Sequence, residues 1–201
     1  MTVKLMTIGD SFAEGRGDPL PDGRFRGWVP RLAELIGVRP DEYVNLGSFG
    51  ATTQDVVDHQ LATALDCDAP LYGVTVGGND LVSREYEAAR FRHNLRHILT
   101  LLTMRGARVF TINWPDIPGR IPGLSDDKRR ALRARFADAN EYMNKLTAEL
   151  GVLRYDMIDT PVTRDSAMWS PDGMHPSPEG HRVIAAQIAE LLSCSGDPSP
   201  A

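Results

Sequence analysis

The stretch TIGDSF, residues 7–12, closes the first apolar run of the chain, VKLMTI at 3–8. An apolar run of this length predicts a buried β-strand. Gly9, Asp10 and Ser11 are residue types that form turns, so the stretch taken alone favours a strand that ends in a tight turn. Ser11 is then either an ordinary turn residue or a nucleophile, and the other loops of the chain must decide.

Further apolar runs and amphipathic segments alternate along the chain. Strands are predicted at 3–8, 42–46, 70–76, 107–112 and 152–157. Helices are predicted at 27–37, 52–65, 86–106, 125–151 and 177–192. Ser125 and Ser177 are the expected N-caps of the last two helices, and Pro178 occupies the first turn of the last. Such alternation predicts an α/β fold, in which a five-stranded parallel sheet carries helices on both faces.

Length and composition suit one globular domain. The chain has 201 residues, of which 42% are hydrophobic and 24% charged. We place the domain at residues 1–192. Residues 193–201, SCSGDPSPA, are polar and rich in serine and proline, and are predicted to form a disordered C-terminal tail.

The charge balance and the cysteines exclude several classes of function. A net charge of −5 argues against a nucleic-acid partner and favours a small-molecule substrate. Cys67 and Cys194 form neither a disulfide framework nor a zinc pattern, and His93 and His97 lack the glutamate of a His-Glu-x-x-His site. No metal and no cofactor are therefore predicted.

No segment of the sequence has the character of a membrane span or a secretion signal. The N-terminus MTVKLMTIGD enters an apolar run at once, without the basic region and cleavage site of a signal peptide. No apolar stretch approaches the length of a transmembrane helix. The expected location is the cytoplasm, and the sequence carries no prediction of the oligomeric state.

Polar motifs follow the predicted strands, where an open α/β sheet binds its ligands. Ser11 follows the first strand, Gly50 lies in NLGSFGATT after the second, and Asn79 lies in GGND after the third. Asp172 and His175 stand in SPDGMHPSPEG, just before the last helix. We therefore expect these loops, remote in sequence, to meet at one edge of the sheet.

Together these residues supply the parts that acyl transfer requires. His175 is suited to take the proton of Ser11, and Asp172, three residues earlier, can accept from its Nδ1 and fix the tautomer. The backbone N–H groups of Ser11 and Gly50 and the side-chain amide of Asn79 can surround an oxyanion. The sequence thus predicts a serine nucleophile with a base, an orienting acid and an oxyanion hole.

The four blocks GDSF, NLGSFG, GGND and DGMH, in this order, resemble the SGNH hydrolases, also called GDSL-type esterases and lipases. The resemblance covers residues 3 to about 192, and RGW (26–28) and WSPDGMHPSPEGH (169–181) are similar to small single-domain bacterial members. It implies a three-layer, flavodoxin-like αβα fold and the same catalytic roles for the residues above. Phe12 replaces the leucine of the family's name.

One glycine assignment stays open at this point. Gly47 lies three residues before Gly50 in the same loop, and either N–H could face the oxyanion. We favour Gly50 because it precedes Ala-Thr, as the glycine of the family's second block does.

The predicted substrate is a small-molecule ester with a short acyl or acetyl group, because no long insertion offers a lid and the site should be open and shallow. The residues predicted to contact it are Phe12, Phe49, Trp114 and Trp169, although these aromatic side chains could equally brace their loops. The same site could serve an acyltransferase or a thioesterase, and a catalytically silent binding module is a further alternative.

Four other polar residues receive structural roles. Asp10 is expected to organise the turn beside Ser11, and Asp80 to cap the helix that follows it. His59 and His181 are expected to be surface or packing residues.

Overall fold

The sheet of the computed structural model, which describes residues 2–195, has five parallel strands in the order β2-β1-β3-β4-β5. They are β1 (Leu5–Gly9), β2 (Tyr43–Asn45), β3 (Leu71–Thr75), β4 (Arg108–Ile112) and β5 (Leu153–Tyr155). This is the flavodoxin-like, doubly wound order, in which the direction of winding reverses between β1 and β3. The predicted parallel sheet is confirmed.

Helices cover both faces of the sheet. They are α1 (Ser11–Glu14), α2 (Val29–Leu35), α3 (Thr53–His59), α4 (Leu61–Asp66), α5 (Gly78–Val82), α6 (Ala88–Thr103), α7 (Ile117–Arg120), α8 (Asp126–Leu150), α9 (Pro161–Arg164) and α10 (Pro178–Cys194). A 3-10 helix spans Ser166–Met168.

Two buried clusters form the cores of the three-layer fold. Met6 and Ile8 of β1 pack in one cluster with α3, α4, α6 and α8, whereas Leu5 packs in the other with α2 and α10. Val109 and Phe110 of β4 divide between the clusters in the same way. Successive side chains of a strand point to opposite faces, which is why β1 and β4 contribute to both cores.

The predicted helix over 52–65 is two helices, with Gln60 at the break between α3 and α4. The buried amide of Gln60 accepts from the N–H of Gly9 at 2.8 Å and donates to the Gly9 carbonyl at 2.9 Å. Because β2 ends at Asn45, this amide takes the place that a neighbouring strand would occupy beside the last residue of β1. The break thus ties two helices to the strand that carries Ser11.

Several helix ends differ from the prediction. The segments 27–37 and 86–106 shorten to Val29–Leu35 and Ala88–Thr103, whereas the last helix continues to Cys194, two residues into the predicted tail. Ser177 caps α10 by accepting from the N–H of Gly180, but the side chain of Ser125 makes no capping hydrogen bond to α8. Residues 196–201 of the predicted tail lie outside the described part of the chain.

Candidate active site

The site lies where the carboxyl ends of β1 and β3 meet. Gly9 pairs with Thr75 at the end of these strands, and φ of Gly9 is +149°, a conformation in which a Cβ would collide with the carbonyl of Thr75. The chain then turns so that Ser11 begins α1. This is the reversal point of the strand order, where doubly wound folds bind their ligands.

Ser11, His175 and Asp172 are joined by hydrogen bonds in series. Nε2 of His175 lies 2.8 Å from Oγ of Ser11, and Nδ1 of His175 lies 2.7 Å from Oδ2 of Asp172. Ser11 and His175 are buried. They are in hydrogen-bond contact although 164 positions separate them in the sequence. The fold therefore brings together the three residues that the sequence singles out.

The Asp172 carboxylate is held in its ionised form. Burial raises the pKa of Asp172, but hydrogen bonds from His175, from the Met174 amide and from Ser170 outweigh burial and hold that pKa well below its usual range. An ionised carboxylate only accepts hydrogen bonds, so Nδ1 of His175 carries the proton. Nε2 is then unprotonated in the neutral ring and can accept from the hydroxyl of Ser11.

The predicted oxyanion donors are the N–H groups of Ser11 and Gly50 and the side-chain amide of Asn79, and each has an N–H that is not engaged in a hydrogen bond to residues 2–195. The Gly47 N–H already donates to Oδ1 of Asn45 at 3.0 Å. Within residues 2–195, the N–H groups of Ser11 and Gly50 have no acceptor. The side-chain amide of Asn79 donates to the carbonyl of Ala51 at 2.9 Å, which leaves its second proton available. The Gly47 N–H thus has an acceptor, whereas the Gly50 N–H has none among these residues.

Two further carboxyl groups lie near Ser11, that of Asp10, which is buried, and that of Asp80, which is half-buried. Asp10 is the N-cap of α1 and accepts from the N–H of Phe12 at 2.9 Å, so its predicted role in the turn is confirmed. Burial, and to a smaller extent the charge of Asp80, raises the pKa of Asp10 to about 7 in spite of this hydrogen bond.

The sequence predicts that Asp80 caps the helix that follows it, and this prediction is wrong. Asp80 lies within the short helix α5, and its carboxylate accepts instead from the N–H and hydroxyl of Thr53, at 2.9 and 2.7 Å. Asp80 thus connects α5 to the first residue of α3. Burial raises the pKa of Asp80, against the effect of these hydrogen bonds.

A cavity of about 230 Å³ opens beside Ser11. Three of the four aromatic residues predicted to contact substrate line it, namely Phe12, Phe49 and Trp114. Buried apolar side chains extend its walls, so the cavity is deeper than the shallow site that the sequence predicts. The lining residues absent from the sequence prediction include Val76, Val82, Ile112, Ile117, Phe136 and Met157.

Trp169, the fourth aromatic residue predicted to contact substrate, does not line this cavity and packs in the core instead. Its ring is buried in the core beside α10, and its Nε1–H donates to the carbonyl of Val162 at 2.7 Å. The guanidinium of Arg120 lies over the ring at 4.4 Å from its centroid. The Trp169 side chain therefore contacts Val162 and Arg120 and lies outside the cavity.

His181 is a second buried histidine with a structural role. Its Nε2 donates to the carbonyl of Arg16 at 2.7 Å, and burial lowers the pKa of His181 to about 4. The guanidinium of Arg16 lies 3.9 Å from the ring centroid of Phe49, at the edge of the cavity. His181 is thus a packing residue, and it holds the segment that supports Phe49.

The remaining histidines are exposed. His59 lies on the surface at the end of α3, and the rings of His93 and His97 stack on α6 with centroids 6.2 Å apart. In the part of the chain that the structure describes, no cluster of three or more His, Cys, Asp and Glu side chains could hold a metal ion. Over the same residues, no helix has both the length and the apolar character needed to cross a membrane.

A hydrogen-bonded Ser-His-Asp series is the arrangement by which serine hydrolases are recognised on several unrelated folds. Residues 7–183 match the GDSL-like Lipase/Acylhydrolase family. The chain belongs to this family and is a carboxylic ester hydrolase.

Solved structures agree with the fold. The acetylxylan esterase Axe2 of Geobacillus stearothermophilus matches with a TM-score of 0.72 and 18% identity, over 96% of each chain. A protein from Desulfitobacterium hafniense DCB-2, assigned to the G-D-S-L lipolytic family, matches with a TM-score of 0.74 and 18% identity, over 94% of this chain and 99% of that one.

A third structure, the α/β hydrolase LAE5 from the metagenome of Lake Arreo, matches with a TM-score of 0.73 and 20% identity, over 97% of each chain. At these identities the likeness shows a shared fold. A comparison with curated proteins finds no significant match.

Proposed function

We propose that the protein hydrolyses small carboxylic esters through an acyl-enzyme formed on Ser11. The observation that carries this proposal is the hydrogen-bonded series Asp172, His175, Ser11, with distances of 2.7 and 2.8 Å. Such a series activates a hydroxyl that is otherwise a weak nucleophile.

In the first half-reaction, Oγ of Ser11 attacks the ester carbonyl carbon while Nε2 of His175 takes the hydroxyl proton. The C–O bond to the alcohol then breaks, and His175 returns the proton to the departing oxygen. Asp172 keeps the protonated ring in place throughout. The product that leaves is the alcohol, and the acyl group remains on Ser11.

In the second half-reaction, a water molecule gives a proton to His175 and attacks the acyl-enzyme. The bond to Ser11 breaks, the proton returns to Oγ, and the carboxylic acid leaves. Both half-reactions pass through an oxyanion, for which the N–H groups of Ser11 and Gly50 and the amide of Asn79 are the proposed donors. Support for Gly50 over Gly47 comes from the Gly47 N–H, which already donates to Asn45.

Ser11→Ala tests the proposal. Removal of the nucleophile should lower kcat for p-nitrophenyl butyrate by about 10⁴-fold or more, without change in the circular dichroism spectrum. Ser83→Ala, in the loop after α5, is the matched control and should keep full activity. A Ser11→Ala variant that hydrolyses the ester at an undiminished rate would contradict the proposal.

The alternative activities share the acyl-enzyme and differ in what removes the acyl group. Mass analysis of products with an alcohol or amine present distinguishes transfer from hydrolysis, and an acyl-thioester substrate distinguishes a thioesterase. We expect the free carboxylic acid as the main product. A silent binding module would form no acyl-enzyme with any of these substrates.

A further inference from the structure

The cavity beside Ser11 is larger and more apolar than an acetyl group needs. Eleven of its eighteen lining residues are apolar. Val76, Ile112, Phe136 and Met157 are buried and form its inner walls. A substrate portion that contacts these inner walls must itself be apolar, because a polar group would lose its hydration there without gaining partners.

One wall is fixed by contacts that require no substrate. The side-chain amide of Asn140, on α8, accepts from the N–H of Trp114 at 3.1 Å and donates to its carbonyl at 2.7 Å. The Trp114 ring packs against Phe91 with centroids 5.9 Å apart.

Gly77 leaves room for the Trp114 ring. A Cβ on Gly77 would lie 2.7 Å from Cζ2 of Trp114, and φ of Gly77 is +123°, which disfavours any other residue. The cavity is therefore preformed, and a ligand that fits it does not have to order this wall.

The volume sets the length of chain that fits. An apolar cavity of about 150 Å³ accommodates benzene, a molecule of six carbons. The cavity of about 230 Å³ is correspondingly large enough for a chain of about six to eight carbons. An acetyl group would leave most of the buried walls without contact, and unfilled apolar walls forfeit dispersion attraction.

The route by which the alcohol leaves indicates which half of the ester, acyl or alcohol, occupies the cavity. The alcohol takes its proton from His175 and must leave first, on a side open to solvent. Phe49 and Met174, at the mouth of the cavity, are 60% and 39% exposed, whereas the inner walls are buried. The alcohol can leave through this mouth, and the acyl group stays bonded to Ser11 until water attacks, so the buried part of the cavity suits the acyl chain.

Resting on the proposed ester hydrolysis, we infer that the cavity is an acyl-binding pocket that selects linear acyl chains of about six to eight carbons over acetyl. Such chains are longer than the short acyl and acetyl groups that the sequence predicts. The inference excludes acetyl esters as the preferred substrates.

The test is a series of p-nitrophenyl esters, from acetate through butyrate, hexanoate and octanoate to decanoate, with the unmodified protein. We expect kcat/KM to rise by up to about fourfold per methylene as far as the chain fits, and then to fall. Acetate esters of alcohols of increasing length should show no such rise. A maximum at acetate, or a rise with alcohol length alone, would overturn the inference.

A variant at the edge of the cavity provides an independent measurement. Val82 lines the cavity and is 37% exposed, so Val82→Trp can fill part of the space at little risk to folding. It should lower kcat/KM for octanoate by about tenfold more than it lowers kcat/KM for acetate. Leu35→Trp, at a 57% exposed position on α2, is the matched control and should leave the chain-length profile unchanged.

The failures of the two proposals are distinguishable. If the esters are hydrolysed through Ser11 but acetate is the best substrate and Val82→Trp leaves the profile unchanged, the acyl pocket is wrong and the hydrolase stands. If no ester is hydrolysed and a fluorophosphonate does not label Ser11, both are wrong.

Discussion

At the scale of single residues, the Asp172 carboxylate both forms the turn before α10 and bonds to the ring of His175. Its Oδ2 accepts from Nδ1 of His175, and its Oδ1 accepts from the hydroxyl of Ser170 and the N–H groups of Met174 and His175. One carboxylate thereby shapes the turn and orients the base. A short motif such as Asp-Gly-Met-His can specify both because all of its acceptors and donors are local.

Asp172→Asn should separate the two tasks. An amide oxygen can still accept from the backbone, but an amide that donates to Nδ1 places the ring proton on Nε2, where it blocks proton transfer from Ser11. We expect kcat for an activated ester to fall by about 10⁴-fold, with little change in KM.

Asp165→Asn is the matched control for this measurement, because Asp165 also accepts from a backbone N–H, that of Ala167, outside the site. Its activity should stay normal. A loss of less than tenfold in Asp172→Asn, with the fold intact, would show that the carboxylate does not orient His175 for catalysis.

At the scale of elements, the junction of α3 and α4 supports the end of β1. The Gly9 N–H has Gln60 as its partner, whereas the Gly9 carbonyl also accepts from the N–H of Ser48 at 3.1 Å. Two residues further on lies Ser11. The Gln60 side chain, at the break between α3 and α4, therefore holds the end of the strand that leads to Ser11.

Gln60→Leu tests the energetic part of this link. The substitution leaves the buried Gly9 N–H without a partner, and the free energy of unfolding should fall by about 1–3 kcal/mol. Urea unfolding measures the change. Gln187→Leu on α10, whose amide contacts only the nearby Glu190 at 3.4 Å, is the control and should change stability much less. Equal stability of both variants would contradict the proposed link.

The sequence predicts the elements that depend on local periodicity and misses what depends on distant partners. All five strands and the amphipathic helices follow from the spacing of apolar residues. The role of Gln60 at the break cannot be predicted, because its side chain bonds to a backbone group 51 positions away. Asp80 is similar, since its partner Thr53 lies 27 positions earlier.

The residues of the site likewise fall into those that the sequence predicts and those that only the packing identifies. Ser11, Asn79 and His175 stand in recognisable motifs and line one cavity. Trp114 and Trp169 are equivalent candidates by residue type and loop position, and only packing shows that the first lines the cavity and the second belongs to the core. Phe136 carries no distinguishing sequence feature at all, because a cavity wall and a helix core use the same apolar residues.

For the whole molecule, the buried carboxyl group of Asp10 makes stability depend on pH. Its pKa rises from 3.8 to about 7 on folding, chiefly because burial disfavours the ionised form. The folded state then binds the proton more tightly than the unfolded state. This stabilising contribution is complete below pH 3.8 and is lost as pH rises through about 7.

Asp10→Asn should remove this dependence, because asparagine can still accept from the N–H of Phe12 but does not ionise. Other carboxyl groups, Asp172 among them, have lowered pKa values and act in the opposite direction, so the informative quantity is the difference between the two proteins. The unfolding free energy of the unmodified protein minus that of Asp10→Asn should decrease between about pH 4 and pH 7. A difference independent of pH would contradict a raised pKa of Asp10.

The most direct test of the account is covalent labelling of the nucleophile. The protein is treated with a fluorophosphonate, and intact-mass measurement followed by peptide mapping locates the adduct. We predict a single adduct on Ser11, none in Ser11→Ala, and much slower labelling in His175→Ala, because the base no longer activates the hydroxyl. An adduct on another serine, or labelling that persists unchanged in Ser11→Ala, would contradict the assignment of Ser11 as the nucleophile.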